Sequence, residues 1–251
     1  MPRKFLALVL LSLFLCTSCT NPTKELQGYI DSGEYQNAIT SADERFQKTH
    51  NSIYLFYRAQ GLYGLGLHEE ALKTMKLYRS VTPPKDIEVQ SIRFALTVAD
   101  AVNDYREVIA TAEELIARKS LSVNEAVLYY RALMKMNQRP RAEEVLHTYI
   151  NNSLDTYDKA KLFLSSANSA EGSEAIFNSL RIDEHIRLGE EIIPSGLERS
   201  IAEAWFVYLR NHRVESASMY RILALLAGQA GRRFDEAEYA ILYQTYKDSH
   251  E

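Results

Sequence analysis

The sequence has few cysteines, glycines and prolines, and each shortage excludes a class of protein. Only two of the 251 residues are cysteine, Cys16 and Cys19, so neither a disulfide framework nor thiol catalysis is available to the chain beyond them. Ten glycines and six prolines are too few for an all-β protein or a disordered one. Because 46% of the residues are hydrophobic, the chain can bury a sizeable core, and helices are the expected elements.

Clusters of basic residues are also missing. The chain has 33 acidic and 29 basic residues, a formal net charge of -4. A nucleic-acid surface needs grouped lysines and arginines. The mild acidity therefore argues against nucleic acid as a partner.

The most specific local pattern lies at the amino terminus. Two basic residues precede a twelve-residue apolar run, FLALVLLSLFLC at 5–16. This run has the length of a signal-peptide core and is shorter than the roughly 20 apolar residues of a membrane-spanning helix. The small residues Thr17 and Ser18 then precede Cys19.

This segment resembles a bacterial lipoprotein signal, in which the cysteine after the cleavage site is acylated and begins the mature protein. The resemblance implies a signal peptide at 1–18, lipidation of Cys19 and a short tether at 19–23 that holds the chain on a membrane surface. By the same resemblance, Thr20 after the cysteine favours the outer membrane, with the chain facing the periplasm. Cys16 departs from the aliphatic residue usual at its position, and an ordinary signal peptide cut near Ser18 is the alternative.

The stretch at 51–84, NSIYLFYRAQGLYGLGLHEEALKTMKLYRSVTPP, has the pattern of a helical hairpin. Leu55, Ala59 and Leu62 share one apolar face of a first helix, which Gly66 ends. The second helix has acidic residues in its first turn and basic residues towards its end, the order that the helix dipole favours. Ala71 lies where the two helices would cross, and its small side chain lets them approach closely.

The same hairpin recurs along the chain. The small residues at the predicted crossing points are spaced by 33, 37 and 34 residues, namely Ala38, Ala71, Val108 and Ala142. Before each comes a residue that accepts the left-handed conformation closing a helix, in order Gly33, Gly66, Asn103 and Asn137. One hairpin cannot bury its apolar face alone, so successive hairpins are expected to stack.

This pattern resembles the tetratricopeptide repeat (TPR), whose period is about 34 residues. The matching residues in the stretch at 51–84 are Leu55, Ala59, Leu62, Gly66, Ala71 and Pro83. Arg58 departs from the family pattern, which has a large apolar residue there. The resemblance implies an all-α fold, a right-handed α-α superhelix of TPR-like helical hairpins. Four repeats would occupy 24–150, followed by divergent C-terminal helices that form further repeats or a cap at 151–251.

Beyond residue 150 the pattern loosens. Ala175 lies 33 residues after Ala142 and suggests a degenerate fifth repeat. We predict a loop at 192–196, a helix at 197–210 and another from 214 to about 229. In the last hairpin Gly231 is followed by Phe234-x-x-Ala237, which aligns with Tyr35-x-x-Ala38 if one residue is inserted. No strands are expected.

No residue pattern points to catalysis, a metal or a cofactor. The six histidines are scattered without an i, i+4 pair, and no nucleophile motif occurs. Gly61-x-x-Gly64-x-Gly66 is superficially like a phosphate loop, but it follows a predicted helix, which favours helix-packing glycines. We therefore predict no enzyme activity. An enzyme would need acidic or basic residues that converge in a cleft.

The TPR resemblance also implies a binding surface. The first helix of each repeat would line a concave groove, one residue past its core stripe. The predicted groove residues are Phe56, Gln60, Tyr63, Arg93, Thr97, Asp100, Val127, Arg131 and Met134. Aromatic residues and arginine anchor interfaces, so a protein or peptide partner is expected. The alternative is that this stripe is only solvated or is covered by the C-terminal helices.

Together these patterns predict a function. The chain is expected to be a membrane-anchored helical-repeat scaffold that binds a protein or peptide partner in the bacterial cell envelope. The alternative is an accessory component of a periplasmic solute-uptake system, with a small-ligand pocket lined by some of the sixteen tyrosines.

Overall fold

The computed structural model describes residues 22–250 as a series of α-helices joined by short turns. Over this range it has fourteen α-helices and no strand, which confirms the all-α prediction, whereas the right-handed superhelix stays a prediction. The helices are α1 (Pro22–Asp31), α2 (Tyr35–Thr49), α3 (Ile53–Gly64), α4 (His68–Val81), α5 (Val89–Ala101), α6 (Tyr105–Ala117), α7 (Val123–Lys135), α8 (Arg139–Val145), α9 (Thr156–Ser166), α10 (Ser173–Asn178), α11 (Ile182–Ile192), α12 (Arg199–Asn211), α13 (Ala217–Ala230) and α14 (Arg233–His250).

The described residues form two compact units, 22–103 and 104–250. In the first unit each helix packs against the one before it, and α1 also packs against α3. In the second unit α6, α7 and α8 are consecutive neighbours, and α9 returns to α7. Helix α11 packs against α9 and α13, and the chain ends in the stacked helices α12, α13 and α14. Successive helices therefore cover one another throughout the first unit and in the runs α6–α8 and α12–α14 of the second, as stacked hairpins require.

Five turns share one backbone conformation. The residue that follows the first helix of each pair, which we call the turn residue, has a positive φ: 77° at Gly33, 77° at Gly66, 58° at Asn103, 58° at Asn137 and 78° at Gly231. Its N–H donates to the carbonyl three residues earlier at 2.9–3.1 Å. The next helix begins two residues later in every case. The predicted glycine and asparagine turns are thereby confirmed.

The fifth residue after a turn residue occupies the crossing position. Its four predicted occupants are all 0% exposed, namely Ala38, Ala71, Val108 and Ala142. The N–H of each donates to a carbonyl four residues earlier and so closes the first turn of the second helix. At Ala38, Ala71 and Ala142, whose two helices lie in one unit, a small side chain at this buried place lets the helices approach closely.

Apolar and aromatic side chains fill the core of each unit. In the first unit, Leu26, Ala42 and Tyr54 are buried together from α1, α2 and α3, and Tyr29 and Phe46 pack against them. In the second unit the largest fully buried side chains include Trp205, Phe206 and Phe177.

Arg58 occupies the place of an apolar residue because it forms a polar bridge. Its Nη1 donates to Thr74 Oγ1 on α4 at 2.6 Å, and its Nε pairs with Asp43 Oδ1 on α2 at 2.9 Å. The Thr74 hydroxyl donates in turn to the Glu70 carbonyl at 2.8 Å. The half-buried guanidinium is therefore hydrogen-bonded, as a buried charge must be, and it links three helices.

The second unit has an equivalent bridge. Tyr129 lies eight residues before its turn residue, as Arg58 does. Its hydroxyl accepts from Arg141 Nη2 on α8 at 2.8 Å and donates to Glu113 Oε1 on α6 at 3.4 Å, while Arg141 also pairs with Glu113. A polar position that ties a first helix to both adjacent second helices thus recurs, although the sequence analysis missed it.

The end of the fourth predicted repeat departs from a regular α-helix. Residues Leu146–Ile150 form a π-helical turn, in which the Asn151 N–H donates to the Leu146 carbonyl at 2.8 Å. The extra residue in this turn places Ile150 in the core, fully buried, and leaves Leu146 and Tyr149 half-buried. The fourth predicted repeat therefore ends with Ile150 in the core, and Leu146 and Tyr149 lie at its edge.

Ala175 does not occupy a crossing position. It is exposed on the short helix α10, whereas Phe177 from the same helix is buried. The left-handed residue nearby, Gly172, precedes α10 and does not end α9. The marker for a fifth repeat was therefore wrong, because a residue spacing was counted without a turn residue to anchor it.

The predicted alignment of the last hairpin is also wrong, by one residue. Helix α14 begins two residues after Gly231, so no residue is inserted, and Glu236 is the fifth residue after the turn residue. Unlike the four buried crossing residues, Glu236 is exposed, and its carboxylate lies against Gly228 of α13, where a Cβ would be 2.9 Å from Oε1. Phe234 is 94% exposed and therefore does not contribute to the core.

The turn residue Asn137 offers a matched test of the hairpin geometry. Asn137→Gly should leave stability within about 0.5 kcal/mol, because glycine accepts a positive φ freely. Asn137→Val should destabilise by roughly 1–2 kcal/mol or more, because a β-branched side chain clashes in that conformation. Chemical denaturation followed by circular dichroism measures both. Equal midpoints for the two variants would show that the left-handed turn does not constrain this hairpin.

Candidate functional site

Phe94 of α5 joins the aromatic residues of the predicted groove on α3. Its ring centroid lies 5.8 Å from that of Phe56 and 5.6 Å from that of Tyr63, both edge to face. Phe56 also packs against Tyr78 at 6.0 Å, and Tyr63 stacks on His68 at 4.7 Å. Such ring pairs are favourable beyond their buried area. These five rings, which we call the aromatic cluster, connect α3, α4 and α5.

Gln60 lies on α3 between Phe56 and Tyr63, one helical turn from each, and its amide is incompletely bonded. The Oε1 atom is buried and accepts no hydrogen bond from any residue that the structure describes. A buried acceptor without a donor costs about 1–3 kcal/mol. The residue as a whole is half-buried, so an outside donor can reach Oε1 once the side-chain amide rotates towards the surface.

Two hydroxyl groups also lack a hydrogen-bond partner, but a ligand cannot reach them. Thr82 Oγ1 and Ser166 Oγ also have no hydrogen bond among the described residues. Both residues are buried as a whole, at 7% and 0% exposure. Of these three groups, only Gln60 therefore combines an unmet hydrogen bond with an open surface.

Three predicted groove residues surround Phe94 on α5. Thr97 is exposed, and its hydroxyl donates to the Arg93 carbonyl at 3.1 Å. Arg93 and Asp100 are half-buried, and each already interacts with other residues of the protein. They give the aromatic cluster a polar border, the arrangement of an interface with an apolar centre and a polar rim. We call Phe56, Gln60, Tyr63, Arg93, Phe94, Thr97 and Asp100 the α3–α5 surface.

The predicted groove residues of the second unit do not form a comparable surface. Met134 is only 5% exposed, so it has almost no area with which to line a groove, contrary to the prediction. Val127 and Arg131 are half-buried on α7. Burial, and next to it the positive charge of Arg131, lower the pKa of Lys135, which lies one turn further along the helix. This part of α7 presents cations where α3 presents aromatic rings.

The glycines of Gly61-x-x-Gly64 pack helices together. A Cβ at Gly64 would lie 2.4 Å from the ring of Tyr35, and one at Gly61 would lie 2.8 Å from Ile39 Cγ1. Helix α3 can approach α2 this closely only because both positions lack a side chain. The helix-packing interpretation of this motif is confirmed.

The predicted lipid anchor lies outside the described residues. This applies to Cys19, to the signal peptide at 1–18 and to most of the tether at 19–23, of which residues 22 and 23 belong to α1. Across 22–250, the helices are too short or too polar to span a bilayer. Over the same range, no three His, Cys, Asp or Glu side chains come together in a way that could hold a metal ion.

His185 is a buried base, and its hydrogen bonds define its protonation. Trp205 Nε1–H donates to His185 Nδ1 at 3.0 Å, and an indole nitrogen can only donate. Nδ1 is therefore the acceptor, so Nε2 carries the proton and donates it to the Phe177 carbonyl at 3.0 Å. The Tyr208 hydroxyl donates to the same carbonyl at 3.2 Å. Both ring nitrogens are used inside the fold, which makes this histidine a structural residue.

No model of a protein family matches the chain, and no curated protein matches it. The resemblance to TPR proteins therefore rests on the residues of the hairpins and on the turn geometry they adopt.

The neutral state of His185 predicts a pH dependence of stability. Burial lowers the pKa of His185 below its usual value of about 6.5, so the unfolded chain takes up the proton first. The stabilisation from the neutral ring is complete above pH 6.5 and is lost as the pH falls towards the lower, folded pKa, at up to about 1.4 kcal/mol per pH unit. Chemical denaturation at a series of pH values should show this loss in the wild type and less of it in His185→Asn. Identical pH profiles for the two proteins would contradict the assignment.

Proposed function

We propose that the chain is a TPR-like scaffold that binds a peptide or a segment of a protein on the α3–α5 surface. An acylated Cys19 would hold it on a membrane of the bacterial cell envelope. The observation that supports this most is the buried, unpaired Gln60 Oε1, which lies on α3 between Phe56 and Tyr63 of the aromatic cluster. The support comes from the chemistry of that surface, which suits a polypeptide better than other ligands.

The Gln60 side-chain amide, whose oxygen lacks a donor, can pair with a peptide bond. A backbone N–H of a bound strand or turn would donate to Gln60 Oε1 and remove the cost of the unmet acceptor. The amide nitrogen of the same side chain can donate to a peptide carbonyl. Apolar side chains of the peptide would then rest on Phe56, Tyr63 and Phe94, since aromatic rings offer large contact areas at low entropic cost.

The border of the surface agrees with this class of ligand. Arg93 and Asp100 carry opposite charges, so the border has no strong preference for a polyanion such as a sugar phosphate. The rings of α3 and α5 meet at 5.6 and 5.8 Å and pack on one another, so they form a continuous apolar centre. An apolar centre with a mixed polar rim is the arrangement of a polypeptide interface. The solute-uptake alternative is the less favoured of the two for this surface.

The membrane attachment is proposed from the amino-terminal sequence. Helix α1 begins at Pro22, three residues after Cys19, so an acylated Cys19 would place the first unit close to the bilayer. By resemblance to bacterial lipoprotein sorting, Thr20 directs the protein to the outer membrane, facing the periplasm. The partner would then be a polypeptide of that compartment.

The two cysteines provide a matched test of the anchor. Cys19→Ser should abolish incorporation of labelled palmitate and release the protein from the membrane fraction of expressing bacteria, because no acceptor sulfur remains at the cleavage site. Cys16→Ser should preserve both labelling and membrane attachment. Equal labelling of the two variants, or labelling of neither the variants nor the wild type, would contradict lipidation at Cys19.

The peptide surface is tested with a photocrosslinking residue in the full-length, membrane-bound protein. Placed at the exposed Thr97, it should capture polypeptides that mass spectrometry identifies, whereas the same residue at the exposed Leu77 on α4 serves as the control position. Gln60→Leu removes the amide and leaves a branched apolar side chain that is one atom shorter. It should reduce capture at Thr97 about tenfold, the effect of one lost hydrogen bond of about 1.4 kcal/mol, with helicity unchanged. Equal capture from Thr97 and Leu77, or capture that Gln60→Leu leaves intact, would dismiss the surface.

A further inference from the structure

A cleft in the second unit combines an apolar floor with two arginines. It has a volume of about 240 Å³ and lies beside the turn between α12 and α13, where α14 forms one wall. Its lining consists of Leu209, Arg210, Arg213, Val214, Glu215, Tyr220, Leu223, Tyr239 and Leu242. We call it the α12–α14 cleft. No motif of the sequence analysis included it.

The floor of the cleft is firmly packed. Leu209 and Leu223 are buried at 0% and 4% exposure. The rings of Tyr220 and Tyr239 lie 6.3 Å apart and nearly parallel, and Tyr239 also meets the buried Phe206 edge to face at 5.8 Å. Apolar walls of this size accommodate about one aromatic or branched aliphatic side chain.

Arg210 and Arg213 have no carboxylate partner within residues 22–250. This contrasts with Arg232 in the same unit, whose guanidinium pairs with Glu203 and Asp235 at 2.8 Å each. Arg210 lies over the ring of Phe206 at 5.4 Å, which holds it beside the cleft. In a chain with more acids than bases, two neighbouring arginines without acids leave a local positive charge for a ligand.

The other ionisable groups limit the charge of that ligand. Glu215 is the acid among the lining residues, so two arginines and one glutamate give the lining a net charge of 2 − 1 = +1. Burial, followed by the charge of Glu215, raises the pKa of Tyr220, and burial, followed by the charge of Glu238, raises that of Tyr239. Both phenols are therefore neutral at pH 7 and available as donors. A monoanion matches this lining better than a dianion.

We propose that the α12–α14 cleft binds the carboxylate of an apolar or aromatic acid. Arg210 and Arg213 hold the carboxylate through charge-assisted hydrogen bonds, and the apolar body rests on Leu209, Leu223 and Leu242. A free small acid and the last residue of a polypeptide both present this chemistry. The cleft shares no residue with the α3–α5 surface, so a negative binding result here would not contradict the proposed function.

The probe for the cleft is N-acetylphenylalanine, titrated into the full-length protein with isothermal calorimetry or ligand-observed NMR. Binding with a Kd of roughly millimolar is expected for a ligand of this size. N-acetylphenylalaninamide, which has the same body without the charge, should bind at least about tenfold more weakly. Phenyl phosphate, which carries up to two negative charges, should not bind more tightly than the carboxylate.

Matched variants assign the binding to the arginines. Arg213→Gln and Arg210→Gln should each raise the Kd about tenfold or more, which corresponds to about 1.4 kcal/mol. Arg221→Gln removes the same charge from α13 at a place where the arginine pairs with Glu190 at 4.0 Å, and it should leave the Kd unchanged. Thermal melts of the three variants check that each remains folded, and Arg213→Lys, which keeps the charge, should retain part of the affinity.

A further comparison distinguishes a free acid from the C-terminus of a polypeptide as the ligand. A peptide that ends in a free phenylalanine carboxylate, compared with its C-terminal amide, shows whether a chain end is accepted as well as the free acid. Binding of either carboxylate supports the site. Equal binding of acid and amide, tighter binding of phenyl phosphate, equal losses in all three glutamine variants, or no saturable binding up to about 10 mM would overturn it.

Discussion

The left-handed residue that ends the first helix of a hairpin is the constraint on which the rest of the fold depends. Because its N–H turns back onto that helix, the second helix begins two residues later in all five turns. The residue three positions further on is small and fully buried in four of the five turns, namely Ala38, Ala71, Val108 and Ala142. In the fifth turn it is Glu236, which is exposed and lies against Gly228 of the first helix.

This constraint explains which parts of the fold the sequence predicts. Turn chemistry is local, so Gly33, Gly66, Asn103 and Asn137 indicate the hairpins without knowledge of any distant contact. The prediction failed where a side-chain pattern was aligned without its turn residue. Ala175 had the right spacing, but the left-handed residue before it, Gly172, begins α10 and does not end the preceding helix. Phe234 was aligned with Tyr35 although Gly231 fixes the register one residue earlier. The π-helical turn at Leu146–Ile150 has no such local signal, because it depends on which side chain the surrounding core accepts.

The polar bridges could not be predicted from the sequence, because their partners lie on other helices. In the sequence, Arg58 only interrupts an apolar stripe, and its partners Asp43 and Thr74 lie on neighbouring helices. Tyr129 likewise has the pattern of a core aromatic residue, and its partners Arg141 and Glu113 become apparent only in the structure. Each bridge satisfies its polar groups only when three helices hold one relative position. Such pairs add little net stability, but a shifted helix would leave a half-buried charge unpaired. They therefore act mainly on the register of the hairpins.

Whether a polar group has its hydrogen-bond or ion-pair partner within the fold separates structural groups from those that are available to ligands. Arg58 and His185 are buried polar groups whose bonds close within the fold, and this explains them completely. Gln60 Oε1 lacks a donor beside an open aromatic surface, and Arg210 and Arg213 lack acids beside an open cleft. The sequence indicated Phe56, Gln60 and Tyr63 through their helical spacing, but not Phe94 or the α12–α14 cleft, whose parts come from different helices. Thr82 Oγ1 and Ser166 Oγ also lack partners among the described residues, but their residues are buried as a whole, so an unmet bond by itself does not indicate a ligand. What distinguishes Gln60, Arg210 and Arg213 is that each lies beside a surface or cleft that a ligand can reach.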